Sequence, residues 1–348
     1  MEDPSVIIAD FDVEYNLSRI CQIILDNQFQ KVVLQFPDWM LPSSIDIYDI
    51  LQSKLFDCDR IIDVFIAADS TYGSSVDDVS AQHIASDVLI YFGDDLSSSS
   101  AMPVLVAPRI KRFDLRNVMT SLFLEIESET RSILLFYEPG YHRDVVNLVA
   151  ELKERRSQTN VFLSRLPSYA DLENWYAVSK IDPDSEVVGG LIVPKSVLEL
   201  ESENLHLLYI GEKREQLVNI LLRLSNIPIR AYSPLTNVVT VERGDTLREF
   251  NERYGGVAKV TESRTIGIII GSMGLTAEKT QSLVNRLQTL ILASGRRYYT
   301  FVMGRLNEAK LCNFPEIDLY CLISNEDTAL IKVISCSYNL NDQMNLIC

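Results

Sequence analysis

Short apolar runs alternate with helical patterns along the whole chain. Runs such as "KVVLQFP" (31–37), "SILLFYEP" (132–139) and "TIGIIIG" (265–271) are continuously apolar, which is typical of strands that helices cover on both faces. The segment "AEKTQSLVNRLQTLILASG" (277–295) has apolar residues at helical spacing and predicts a helix that stops at Gly295. Alternating strands and helices predict an α/β fold with mainly parallel sheets. The other predicted strands are 61–69, 87–93, 102–108, 160–166, 188–194, 205–211, 237–242, 297–304 and 318–324.

The strand and helix pattern restarts about three times, near residues 30, 103 and 260. We therefore expect three similar Rossmann-like α/β domains, spanning 1–102, 103–245 and 246–348. The polar segment 241–264 is the clearest break before the third domain, and "PDSEVVGG" (183–190) could be an inserted loop in the second.

Composition and charge exclude several classes of function. The chain has 348 residues and a formal net charge of −16, from 48 acidic and 32 basic residues, so a broad surface for nucleic acid or anionic membranes is not expected. No apolar run approaches the roughly 20 residues that cross a bilayer. The acidic start "MEDPSVIIADFD" does not resemble a signal peptide, and six cysteines in so long a chain do not form a disulfide framework. We expect a cytoplasmic protein with reduced thiols.

One turn, "TYGSSVDD" (71–78), stands out because it follows a predicted strand, where α/β proteins usually bind ligands. Ser74 with Asp77, and Ser75 with Asp78, also match the S-x-x-D pattern that caps helices, and capping is the favoured interpretation from pattern alone.

Other candidate residues carry weaker signals. Gly271 and Gly274 lie between a strand and a helix and could hold an anion, but a close strand–helix turn is favoured. His83 could face the same crevice as the turn, although a lone helical histidine is more often a packing residue than a base. His142 and His206 have no partners that suggest a triad or a metal site, and the cysteine spacings do not indicate zinc or iron–sulfur binding.

Taken together, several ordered segments resemble one family. They are "VVLQFPDWML" (32–41), "ADSTYGSSVDDVSAQHIASDVLIYFG" (68–93), "LLYIGEK" (207–213), "FNERYGGVAKV" (250–260) and "GRLNEAKLCNFPEIDLYCLIS" (304–324). Across residues 20–331 the chain resembles the diphthamide-synthesis family, whose two eukaryotic subunits form the 2-(3-amino-3-carboxypropyl)histidine synthase. The region beginning Ala293-Ser294-Gly295 is similar to the second subunit rather than the first.

The resemblance implies three α/β domains around a central cleft and a defined reaction. The enzyme would transfer a 3-amino-3-carboxypropyl group from S-adenosylmethionine to a histidine of translation elongation factor 2. The first subunit would carry the [4Fe–4S] cluster that cleaves S-adenosylmethionine. The second would pair with it as a heterodimer and normally hold its own cluster, with electron-donor proteins as further partners.

At the family's cluster ligands, however, this chain has no cysteine. The family turn reads roughly Y-G-S-C-C-V-D-E, and the resemblance places Ser74 and Ser75 at its cysteines. The second ligand corresponds to Asp95 and the third to Asn325. Serine, aspartate and asparagine are poor replacements for thiolates. We therefore expect an accessory subunit with no catalytic residues, no cluster and no metal of its own.

Three alternatives stay open at this point. The chain could be an iron–sulfur redox subunit with relocated ligands among Cys312, Cys321 and Cys336. It could instead be an unrelated three-domain α/β enzyme that resembles quinolinate synthase, although that enzyme also needs cluster cysteines. A small-molecule binding protein that uses the cleft between domains is the third alternative.

Overall fold

A computed structural model of the chain describes residues 11–56, 61–68, 76–94, 96, 100, 102–123, 132–155, 158–167, 182–200, 204–246, 248, 251, 259–271, 277–303, 308–323 and 346–347. The chain forms two compact units. The first unit holds two large sheets, and the second holds a third sheet.

Strands and helices alternate in the order that the sequence pattern predicts. The strands are β1 (Lys31–Gln35), β2 (Asp63–Ile66), β3 (Val88–Tyr91), β4 (Val104–Val106), β5 (Ser132–Tyr137), β6 (Asn160–Leu163), β7 (Ser185–Val188), β8 (Leu191–Pro194), β9 (Leu205–Ile210), β10 (Ile229–Ser233), β11 (Val238–Glu242), β12 (Thr265–Gly271), β13 (Arg297–Met303), β14 (Leu319–Ile323) and β15 (Leu346–Ile347). The helices are α1 (Leu17–Asp26), α2 (Ser44–Phe56), α3 (Val79–His83), α4 (Leu115–Phe123), α5 (His142–Arg155), α6 (Lys195–Leu198), α7 (Arg214–Arg223), α8 (Ala277–Ala293) and α9 (Glu308–Leu311). Short 3₁₀ turns cover Asp38–Ser43, Pro139–Tyr141 and Gly244–Thr246.

The three large sheets share one strand order. Their orders are β2-β1-β3-β4, β6-β5-β9-β10-β11 and β13-β12-β14-β15. In each sheet the earliest strand lies inside, the next pairs on one side of it, and the later strands add on the other side. All pairs are parallel except β10–β11. The predicted α/β architecture with mainly parallel sheets is confirmed.

An aspartate ties two strands together at the amino end of the first and third sheets. Asp87, just before β3, accepts the backbone N–H of Gln30 and Lys31 at 2.7 and 2.9 Å. Asp318, just before β14, accepts the N–H of Arg264 and Thr265, both at 2.8 Å. The same strand order is therefore stabilised by the same local contact in two separate sheets.

Helix α1 shows how the apolar pattern becomes a core. Leu17, Ile20 and Ile24 recur at helical spacing and are almost fully buried. They lie in one cluster with Leu34 and Ile90 of the first sheet. At the far end of the chain, α8 ends as predicted, because Gly295 has φ +74° and takes the left-handed conformation that terminates helices.

Four features differ from the sequence pattern. Strands β7, β10 and β15 were not predicted, and β10 is held by β9 on one side and β11 on the other. Strand β4, which the predicted boundary at 102/103 assigns to the second domain, pairs with β3 in the first sheet. The segment 183–190, the predicted inserted loop, contains β7 of the antiparallel β7–β8 hairpin. The continuous apolar run of β13 is an exposed edge rather than a strand covered on both faces. The domain boundaries stay a prediction.

The β7–β8 hairpin turns on two glycines. Gly189 and Gly190 have φ of +56° and +76°, as a two-residue type I′ turn requires. A Cβ on Gly189 would lie 2.5 Å from Ile220 Cγ1, so helix α7 packs directly on this turn.

None of the helices in the described ranges is long and apolar enough to cross a membrane.

Candidate functional site

The residues predicted at the cluster-ligand positions are Ser74, Ser75, Asp95 and Asn325, and all four lie outside the described residues. Two neighbours are described. Asp78, which closes the turn, accepts a hydrogen bond from Ser100 Oγ at 2.6 Å, and Asp94 lies 3.7 Å from Lys213 Nζ. The predicted caps by Ser74 and Ser75 are untested.

The histidines have aromatic or basic neighbours. His83 is the last residue of α3 and is exposed. The Nδ1 of His142 lies 2.8 Å from the hydroxyl of Tyr137, and the two rings stack at 5.6 Å. His206 Nδ1 lies 3.4 Å from Arg230 Nη1. The described contacts therefore place a phenol hydroxyl beside His142 and a guanidinium beside His206.

The cysteines give a mixed result. Cys21 is buried and Cys321 is half-buried, and neither forms a disulfide, as expected. Burial raises the pKa of the Cys321 thiol, which lies within β14. Cys312 is disulfide-bonded, so the expectation that all thiols are reduced is wrong for this residue. Cys336 lies outside the described residues.

Polar groups meet instead at the carboxyl ends of β5 and β9 in the second sheet. These strands are the point where the sheet order reverses, because β6 adds beside β5 and the later strands add beside β9. Ligands of open α/β sheets bind at such points. Glu138 follows β5, and Gly211, Glu212 and Lys213 follow β9.

Glu138 is a buried carboxylate with a partner for each oxygen. Only 3% of the residue is exposed. Its Oε1 is ion-paired with Lys111 Nζ, and its Oε2 accepts the backbone N–H of Glu212 at 2.8 Å. Lys111 Nζ also lies 5.6 Å from the centre of the Tyr141 ring. Because burying an unpaired carboxylate is costly, these contacts fix the ends of β5 and β9 together.

Glu212 carries the connection on to the β10–β11 turn. Its carboxylate accepts Ser233 Oγ at 2.9 Å from each oxygen and the N–H of Leu235 at 2.9 Å. Thr236 then donates its hydroxyl to Ser233 Oγ at 2.7 Å. The two glutamates thus link three strand ends into one hydrogen-bonded edge.

Tyr209, on β9, contacts the start of α7 through its hydroxyl group. Its hydroxyl lies 3.1 Å from the carbonyl of Lys213 and 3.2 Å from Gln216 Oε1. Gln216 in turn donates to the carbonyl of Gly189 at 2.9 Å. Burial, and then the charges of Glu138 and other nearby carboxylates, raise the pKa of Tyr209 well above its ordinary value. The phenol is therefore a neutral positioning group.

A cavity of about 200 Å³ opens on the face of the sheet that α7 covers. It lies between the start of α7 and the β10–β11 hairpin. Arg214 and Glu242 form an ion pair at its wall. The polar residues that line it include Tyr209, Glu212, Lys213, Arg214, Ser233, Thr236, Thr240 and Glu242. Charges of both signs with fixed partners suit the binding of a small polar molecule, and they offer no activated nucleophile.

Sequence reasoning missed this cluster. The segment "LLYIGEK" is part of the family resemblance, but Glu138 and Lys111 lie 74 and 101 positions before Glu212. The available signal was that Glu138 and Glu212 each lie within two residues of the end of a continuously apolar strand, since such positions share the carboxyl edge of a parallel sheet.

The fold defines the class: an α/β protein with three mainly parallel sheets and its polar groups at the strand ends. A model of the family described as "Putative diphthamide synthesis protein" matches residues 36–333. The chain belongs to this diphthamide-synthesis family.

Relatives agree with that assignment. The subunit 2 of 2-(3-amino-3-carboxypropyl)histidine synthase from Danio rerio is 26% identical over 331 residues, which cover 93% of this chain and 64% of the relative. The corresponding protein of Schizosaccharomyces pombe is 29% identical over 329 residues, covering 91% and 60%. The chain thus spans less than two thirds of the length of these relatives.

Two crystal structures share the fold. Dph2 from Pyrococcus horikoshii superposes with a TM-score of 0.64 at 18% identity, covering 96% of this chain and 88% of that one. The structure of the same protein with a 4Fe-4S cluster gives a TM-score of 0.66 at 18% identity, covering 96% and 89%. The family membership overturns the alternative of an unrelated enzyme resembling quinolinate synthase.

Proposed function

We propose that the chain is the accessory subunit of the heterodimeric enzyme for the first step of diphthamide biosynthesis. The enzyme transfers a 3-amino-3-carboxypropyl group from S-adenosylmethionine to a histidine of translation elongation factor 2. The relatives' names, synthase subunit 2, support this assignment. The partner subunit carries the catalytic [4Fe–4S] cluster, electron-donor proteins of the pathway complete the system, and the complex is cytoplasmic.

The residue types at the expected cluster-ligand positions support the accessory role. Iron–sulfur clusters need thiolates, and the positions that correspond to the family ligands hold Ser74, Ser75, Asp95 and Asn325. The residues present do not fit the cluster. This chain therefore supports its partner, and no step of the transfer is assigned to its own iron.

Cys321 shows why a cluster held by other cysteines of the chain is disfavoured. Its thiol is held within β14, and burial raises its pKa, which opposes the thiolate form that iron requires. Cys312 is already disulfide-bonded. A cluster built from these residues would need a rearrangement of the strand and of the disulfide.

Iron per complex tests the proposal. The chain is co-expressed with a tagged first subunit, purified without oxygen, and its iron is counted. Co-elution with iron for a single four-iron cluster is expected. Iron for two clusters, lost on changing Cys321 and Cys336 to Ser, would establish the redox alternative instead. Failure to co-elute would overturn the heterodimer.

Single cysteine restorations provide the control. Ser74→Cys and Ser75→Cys each supply one thiolate where a cluster needs several, so the iron content should not change. Iron uptake by either single variant would contradict the argument from ligand chemistry.

A further inference from the structure

The cavity at the start of α7 has one wall of helix and one wall of hairpin. In the hairpin, Ala231 of β10 pairs with Thr240 of β11. Because side chains alternate along a strand, Val238 and Glu242 stand on the same face as Thr240, towards the cavity. Leu217 lines the cavity from α7. The two walls therefore bring polar and apolar groups together around one small volume.

Part of the cavity lining is apolar. Leu217 and Ala231 are only 5% and 7% exposed, and Val238 adds its side chain from β11. The volume is about 200 Å³, whereas pockets for drug-sized ligands have about 300–1,000 Å³. The cavity therefore suits a molecule smaller than these, with a short aliphatic part.

Two of the four charged residues in the lining are held by other groups. The carboxylate of Glu212 accepts hydrogen bonds from Ser233 Oγ and from the N–H of Leu235. The Nζ of Lys213 lies 3.7 Å from Asp94, which is not a lining residue. These two charges therefore serve mainly to fix the end of β9.

Arg214 and Glu242 form the remaining charged pair, side by side at the wall. The Nη1 of Arg214 donates to Oε2 of Glu242, and the Arg214 side chain is 48% exposed. A guanidinium has several N–H donors and a carboxylate has two oxygens, so this contact leaves further donors on Arg214 and a second oxygen on Glu242. Arg214 is also the first residue of α7, where the helix dipole favours negative charge. A ligand with one negative and one positive group matches this wall.

We propose that the cavity binds a free α-amino acid with a short aliphatic side chain. The carboxylate of the ligand bonds to Arg214, and its ammonium group bonds to Glu242. Its side chain contacts Leu217, Ala231 and Val238. A simple anion would be repelled by Glu242 and a simple cation by Arg214, so a zwitterion is favoured over either.

Matched ligands test the two charges separately. L-Valine should bind the full chain saturably with a Kd of about 0.1–1 mM, as expected for a ligand of so few atoms, measured by saturation-transfer NMR. Valinamide lacks the carboxylate and N-acetylvaline lacks the ammonium group. Each should bind at least about tenfold more weakly, because each loses a hydrogen bond between charged groups. Equal binding of the three ligands overturns the proposal.

Arg214→Met tests the site, and Arg223→Met is its matched control. Both arginines lie on α7 and pair with a glutamate, Glu242 or Glu186, and their side chains are 48% and 59% exposed. Arg223 is not a lining residue. Arg214→Met should weaken L-valine binding at least about tenfold, and Glu242→Gln should do the same, whereas Arg223→Met should stay within about twofold. Thermal melts check that all three variants are folded.

Binding is measured on this chain alone, so its failure leaves the proposed heterodimer standing, and a failed co-elution leaves the cavity standing. Selective loss in Arg214→Met and Glu242→Gln supports the amino-acid site. The absence of saturable L-valine binding, or an equal loss in Arg223→Met, overturns it. S-adenosylmethionine carries the same two charged groups and is titrated as a competitor. If it displaces L-valine, the cavity belongs to the substrate of the proposed reaction, which also overturns a separate amino-acid site.

Discussion

Removing Lys111 should expose the cost of the buried Glu138 carboxylate. The Glu138 side chain is 4% exposed, whereas that of Lys111 is 34% exposed. Breaking a fully buried pair by removing one partner costs about 3–5 kcal/mol. Because water already screens Lys111, we expect Lys111→Met to lower the free energy of unfolding by about 2 kcal/mol.

A double substitution separates the charge from the packing. Glu138→Gln keeps an oxygen that can accept the N–H of Glu212 but removes the charge. In the Lys111→Met background it should recover at least half of the lost stability, so the two effects should not be additive. Urea unfolding followed by circular dichroism measures all four proteins of the cycle.

The surface pair Arg155–Glu151 supplies the control. It joins residues four apart on α5, and the Arg155 side chain is 64% exposed. Arg155→Met should change stability by less than about 0.5 kcal/mol. A cost for Lys111→Met as small as this, or strict additivity in the double variant, would refute the view that Glu138 depends on Lys111.

Three further predictions concern the backbone at two glycines, the pH dependence of stability, and the hydrogen bonds that Asp318 accepts from the backbone. Gly189→Ala should lower the free energy of unfolding by about 1–3 kcal/mol, since the φ of Gly189 is +56° and the new Cβ would meet Ile220. Gly295→Ala is the control, because a Cβ there has nothing within 4 Å, and it should lower the free energy of unfolding by about 1 kcal/mol. Thermal melts measure both variants. Burial raises the pKa of Tyr15 and of Tyr320 to about 12, so their stabilisation is complete below pH 10 and is lost as pH rises towards 12. Replacing both tyrosines with Phe should flatten the fall in unfolding free energy above pH 10, and an unchanged slope would contradict this. Asp318→Ala removes the acceptor of two backbone N–H groups and should cost about 1–2 kcal/mol in urea, whereas Asp318→Asn should cost less; equal costs would argue against the hydrogen bonds.

The strands with continuous apolar runs and the helix 277–295 could be predicted from the sequence, because both follow from the spacing of apolar residues along the chain. Strand β10, "IRAYS" (229–233), could not, since Arg230 and Ser233 interrupt its apolar pattern and its strand form depends on pairing with β9 and β11. Strand β13 was predicted, but its position at the edge of its sheet could not be, since that depends on which strands pair with β12.

The sequence by itself determined the family, through the order of its motifs, and it determined which residue types, Ser74, Ser75, Asp95 and Asn325, stand where the resemblance places the family's ligands. Residue types are chemical facts that need no coordinates. Only the tertiary structure decided that Lys111, Glu138 and Glu212 meet, and that β13 comes last in the order of the described strands of its sheet, because both depend on which strands become neighbours. Parallel strands are joined by crossovers of many residues, so neither a strand's neighbours nor the side chains at its end are fixed by local sequence.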